Sequence, residues 1–204
     1  MDVIGVPYTM IYCPSGSFMM EGYEGAGNNP PRQTPIEKPF LLGETEVTQE
    51  LYQVVMGHNP SYFKNELKNP VEKVSWYDAV IFCNKLSDMF KLGRYYTITK
   101  DGQTIDTIEE EQENYVVGMN EKSKGFRLPT EWEWEYAAKA GTENQWSGTD
   151  DEQEIRDYAW YDGNSGWAIH PVKQKKPNEW GFYDMTGNVW EWCENTYSPT
   201  STHH

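Results

Sequence analysis

From Gln145 to Cys193 the chain shows no helical period, yet Trp146, Trp160, Trp167, Trp180, Trp190 and Trp192 punctuate a text rich in Gly and Asn. Regular structure gives way here to organised loops. Aromatic residues make up 15% of the chain within a hydrophobic total of 37%, so the core leans on rings more than on Leu and Ile. Seventeen Gly and twelve Pro add many turns. Together these features predict an α+β fold of short helices, small strands and long loops, and they exclude a helix bundle or a parallel α/β sheet. With 204 residues, no internal repeat and no low-complexity linker, residues 1–204 are expected to form one domain.

Local signals place a few elements. Ile11 to Met20 reads as a strand or hairpin turning at Ser15-Gly16, the Pro-rich stretch Gly22 to Pro35 as irregular surface, and Phe40-Leu41-Leu42 as a buried strand. Thr48 precedes Leu51, Val54 and Val55 at helical spacing and Gly57 closes the run, so a short capped helix is predicted. A capping box at Ser75 and Asp78 launches a second helix, with Cys83 on its apolar face. A second box at Thr130 and Glu133 launches the third helix, ended by Gly141. Between Tyr95 and Tyr115 the pattern is a hairpin around Asp101-Gly102, with Glu109 to Glu113 as a solvated acidic rim. Core packing is the expectation for Trp76, Trp134 and Trp190, and a structural role for Arg127.

The formal charge of −15 opposes nucleic-acid phosphates and anionic lipid surfaces, so nucleic acid is excluded as a partner. Such acidity serves solubility, and some of the carboxylates are also suited to a divalent cation. No apolar stretch has the length of a membrane span, and the first residues lack the pattern of a signal peptide. Export or surface display with the signal removed is expected, cytoplasmic residence being the alternative. Cys13, Cys83 and Cys193 lie in no metal-ligand spacing and allow at most one disulfide. His58 and His170, the two internal histidines, have no nucleophile beside them in sequence, so no triad chemistry is read.

Four segments resemble, in order, the formylglycine-generating and sulfatase-modifying enzymes: Glu46-Val47-Thr48 with Asn59-Pro60-Ser61, Pro70 to Ala79, Phe126 to Glu131, and Gly181 to Trp192. The resemblance runs from about Ile11 to Tyr197 and implies the C-type lectin fold of that family. It extends in type to the variable proteins of diversity-generating retroelements. The resemblance further implies a calcium ion held by Asp184, Gly187, Val189 and Glu191, two side-chain and two backbone positions. Chemistry agrees, since a Gly-turned loop can offer Ca²⁺ several hard oxygens. The family's enzymes work through a reactive cysteine pair and copper in a late segment, and Cys13, Cys83 and Cys193 do not fall there. No catalytic residue is therefore assigned. The expected function is a non-catalytic module that binds a protein or small ligand, as in a retroelement-diversified variable protein or a surface lipoprotein domain. The alternative is a truncated oxidase of the formylglycine-generating type.

Overall fold

The computed structural model describes residues 1–20, 30–108 and 115–194. Its elements, in chain order, are β1 (Asp2–Val3), β2 (Val6–Pro7), β3 (Met10–Cys13), β4 (Gly16–Met20), β5 (Arg32–Ile36), β6 (Phe40–Gly43), α1 (Gln49–Met56), α2 (Trp76–Met89), β7 (Tyr96–Lys100), β8 (Gln103–Thr104), β9 (Val116–Met119), α3 (Glu131–Lys139) and α4 (Ile155–Tyr158). The strands form four small antiparallel sheets: β1-β2, β3-β6, β4-β5 and β8-β7-β9. This is the short-helix, small-sheet fold expected from the sequence.

The helices begin where their caps predict. Thr48 accepts from Leu51 N, Ser75 and Asp78 form a complete capping box, and so do Thr130 and Glu133. Each cap satisfies amide donors that the first turn leaves free, for about 1 kcal/mol. Arg127 ties the second box to the preceding loop. Its guanidinium forks onto Glu133 at 2.6 and 2.7 Å and donates to Leu128 O at 2.9 Å, the structural role expected of it.

Three expectations about strands are corrected. Residues 11–20 do not form a hairpin: β3 pairs with β6 and β4 with β5, so the Ser15-Gly16 bend passes the chain from one sheet to another. The Pro-rich stretch is not irregular at its end, because Arg32 to Ile36 is strand β5. Pro35 is tolerated there because each strand of a two-stranded ribbon has an unpaired edge. Phe40 to Leu42 is strand but only half-buried, with Leu41 exposed. The hairpin at Asp101-Gly102 forms, both residues taking positive φ (52° and 77°). The acidic run Glu109 to Glu113 lies outside the described residues.

The largest core cluster joins α1, α2 and β7 through rings and branched chains, with Tyr52 stacked on Phe82 at 5.6 Å. Two smaller clusters lie around α3. Cys13, Ala137, Phe182 and Met185 form one; Phe18, Met20, Ile36 and Tyr136 form the other; Phe40 and Trp180 pack against both. Through these, α3 binds the sheets on one side and carries the late loops on the other. Asn178 secures the junction: its buried amide donates to Ala137 O at 2.9 Å and accepts from the Trp180 and Phe182 amides at 3.1 Å each.

Candidate functional site

The late loops are stitched together by backbone and amide hydrogen bonds. Buried Phe182 and Met185 anchor the segment 182–191 in the core. Asn188 then fastens it to the loop at 160–170. Its amide donates to Trp160 O at 2.8 Å, while its side chain accepts from His170 N at 3.0 Å and donates to His170 O at 3.1 Å. Thr186 Oγ1 accepts from Ser147 N at 3.0 Å, which adds the turn at 146–149. Gly187 permits this closeness, since a Cβ there would lie 2.1 Å from Trp160 O. Trp160 is itself sandwiched, with the His170 ring stacked at 3.7 Å and Lys175 Nζ 3.8 Å from its centroid.

Within this frame Asp184 is buried and takes a positive φ of 61°. Its Oδ2 accepts from Lys173 N at 2.9 Å, whereas its Oδ1 has no partner. Glu191 Oε1 accepts from Trp134 Nε1 at 3.1 Å. The structure adds a third carboxylate that sequence reasoning did not single out. Glu46, two residues before the cap of α1, is buried, and neither of its oxygens has a hydrogen-bond partner.

The three carboxylates feel one another. Burial first, then Glu191 and Asp184, push the Glu46 carboxyl well above the usual range, against the dipoles of its own backbone amide and of the Asn188 side chain, neither of which meets hydrogen-bond geometry. Burial also raises Asp184, against the pull of the Lys173 amide. Glu191 is pushed up to about 7 by the crowd of protein atoms around it and by Asp184, with Trp134 opposing. Glu191 keeps a solvent-exposed edge, and water there screens its charge; Glu46 has no such edge and bears the larger penalty.

Of the four residues expected to hold calcium, the loop therefore brings Asp184 and Glu191 into electrostatic reach of each other, with Gly187 packed between Asp184 O and the Trp160 backbone and Val189 half-buried. Among the described residues no group of three His, Cys, Asp or Glu side chains is gathered closely enough to hold a metal ion on its own. Glu46 stood in the Glu46-Val47-Thr48 segment of the family resemblance, but nothing local marked its burial or its approach to Asp184 and Glu191.

The tryptophans divide. Trp76 is buried and donates to Cys193 O at 3.0 Å, and Trp134 is half-buried against Glu191. Trp190, expected in the core, is 92% exposed. Trp190 lies in loop backbone between half-buried Val189 and exposed Glu191, where no regular alternation turns a side chain to the core. The three cysteines are buried, and burial pushes each thiol up to about 12, so none is a thiolate near neutral pH.

Residues 6–203 match the sulfatase-modifying factor enzyme 1-like domain. The chain belongs to that family. Among relatives of this formylglycine-generating-enzyme-like domain, a chaperone protein LppX of Paenibacillus barcinonensis is 43% identical over 184 residues, covering 80% of this chain and 64% of that protein. The formylglycine-generating enzyme of Streptomyces coelicolor is 40% identical over 99 residues, covering 37% of this chain and 28% of the enzyme. The chain thus spans less than two thirds of the length of either. Among solved structures, Treponema denticola variable protein 1 superposes with a TM-score of 0.85 at 44% identity, covering 94% of this chain and 74% of that one. CarF follows at 0.72 and 29% identity, over 96% of this chain and 83% of its own. No helix among the described residues is long and apolar enough to cross a membrane.

Proposed function

We propose that this domain is a non-catalytic binding module, a loop platform stiffened by one calcium ion. The observation that carries the reading is the stitching of three loops through Asn188, Gly187 and Thr186, which holds exposed aromatic side chains on a fixed backbone. Rings on a rigid loop give large contact area at low entropic cost. Similarity to a variable protein supports the same reading. The thiols argue against cysteine-based oxidation by this chain, because each is buried and protonated.

The residues fit calcium in kind. Glu46 and Asp184 together leave three buried carboxylate oxygens without a partner, and an unpaired buried charge costs several kcal/mol unless something neutralises it. Asp184 and Glu191 would supply side-chain oxygens and Gly187 and Val189 carbonyls, with Glu46 adding charge from the start of α1. The ion would supply charge neutralisation and a fixed centre for the loop, not chemistry. Incubation with copper and a cysteine-containing peptide is expected to give no formylglycine; turnover would overturn the non-catalytic reading. Calcium is expected to slow amide exchange across residues 160–170 and 182–191 relative to chelator, and equal exchange in both would overturn the stiffening.

A further inference from the structure

Trp167 is the second residue of a turn that a large side chain should avoid. Gly166 and Trp167 both take positive φ, 63° and 62°, and Ala168 N donates to Ser165 O at 3.3 Å, which is the pattern of a type I′ turn. Gly suits both central positions, whereas a bulky residue there is strained. The strain gives Trp167 no burial in return, since it is 83% exposed.

The turn nevertheless sits on a stiff base. Asn164 Oδ1 accepts from Tyr161 N at 2.8 Å and its Nδ2 donates to Ala159 O at 2.9 Å. His170 Nε2 lies 2.9 Å from Ser165 O, with the His170 ring stacked on Trp160. A strained conformer held by its surroundings, with its side chain in water, points to a side chain kept for contact rather than for folding.

Two features define what would meet it. From Asp150 to Asp162 the carboxylates Asp150, Asp151, Glu152, Glu154, Asp157 and Asp162 stand against Arg156 in the same stretch and Lys176, which pairs with Asp157 at 2.8 Å, so acid is in excess. The adjoining rings already hold ammonium groups: Lys175 Nζ is 3.8 Å from the Trp160 centroid and Lys176 Nζ 5.6 Å from that of Tyr158. Trp167, five residues beyond Asp162, is the most exposed ring of this loop.

We infer that Trp167 is a recognition residue that takes a cationic side chain, Arg above Lys, from a basic segment of a partner protein, with the Asp150 to Asp162 carboxylates drawing that segment in. This rests on the binding-module reading and names its partner chemistry. Arg is favoured because its planar guanidinium stacks on an indole face as well as answering its charge.

The test uses the whole chain and three labelled peptides of alternating Gly with Arg, Lys or Gln, measured by fluorescence anisotropy at low salt. The Arg peptide is expected to bind tighter than the Lys peptide and the Gln peptide not at all. Trp167→Gly, which leaves the charge unchanged, should weaken Arg-peptide binding about tenfold while keeping or raising the melting temperature. Equal binding by wild type and Trp167→Gly would reduce the effect to bulk charge and overturn the inference. So would failure of wild type to bind the Arg peptide, or capture of neutral glycans through Trp167 on a glycan panel. A fall in melting temperature in Trp167→Gly would show that the ring is structural. None of these outcomes depends on calcium or on turnover, so the platform reading stands or falls separately.

Discussion

Replacing Gly187 with Ala tests whether loop closure at Trp160 holds the site together. Gly187 is not needed for a positive φ; what matters is space. An added Cβ would sit 2.1 Å from Trp160 O, about 1.3 Å short of the 3.4 Å at which ordinary contact begins, and 2.9 Å from Trp160 C. Because these are backbone atoms, no side chain can swing aside. The loops must separate, and the separation acts on the hydrogen bond from Asn188 N to Trp160 O and on the two bonds between the Asn188 side chain and the His170 backbone. At about 1 kcal/mol net for each bond, and more for any group left buried without a partner, the loss is about 3–5 kcal/mol. For a domain of this size that corresponds to a melting temperature about 6–20 °C lower. Gly57→Ala is the control: Gly57 has φ +82° but nothing within 4 Å of the added Cβ, so only the backbone preference of about 1 kcal/mol is at stake. Denaturant unfolding of both variants gives the comparison. If Gly187→Ala costs no more than Gly57→Ala, the two loops are not held by this contact and the account of the platform is wrong.

Calcium should raise the melting temperature of wild type by an amount that grows with the logarithm of its concentration, and Asp184→Ala should abolish the response; a wild type indifferent to both calcium and chelator would remove the ion from the account. In chelator, stability should fall as pH rises from about 4, the ordinary carboxylate range, toward 7, because Glu46, Asp184 and Glu191 all have folded pKa values raised above their unfolded ones. Saturating calcium should flatten that fall, and denaturation midpoints at several pH values with and without the ion would show it. Below pH 4 the sign reverses, since Asp88 and Glu133 are held down by Arg94 and Arg127 and lose those partners on protonation. Trp190→Ser should change stability by no more than about 0.5 kcal/mol, as for other exposed positions, whereas a loss of several kcal/mol would place that ring in the core after all.

The sequence was most legible where one residue has one local job. Thr48, Ser75 with Asp78, and Thr130 with Glu133 fix three helix starts, because a capping side chain and the amide it satisfies lie within three residues of each other. Asp101-Gly102 fixes a turn for a similar reason. Pairing beyond the local range was not legible: β3 and β4 look like a hairpin, yet each finds its partner across the chain, in β6 and β5. The same limit governs the site. Asp184 and Glu191 could be placed from their segment, but Glu46 reaches them only through folding, and Trp190 sits in loop backbone with no periodicity from which its exposure could be read.

The remaining question is what sustains so much unfavourable local structure in one region. Of the nine non-Gly residues with positive φ among the described residues, four, Trp167, Lys173, Asp184 and Asn188, fall in the late loops. Asp and Asn tolerate that conformation through their short polar side chains, while Trp167 and Lys173 do so at a cost of about 1 kcal/mol each. The Lys173 amide bonds Asp184 Oδ2, so the strain at Lys173 serves to orient a carboxylate whose other oxygen is left without a partner. On the reading proposed above, backbone strain that holds a buried acid with one oxygen unpartnered would suit a group supplied from outside. Because Asp184 and Glu191 raise the Glu46 carboxyl, the proposal takes that group to be a cation. A neutral ligand would leave the carboxylates to take up protons, whereas a cation would fix the loop and keep them ionised.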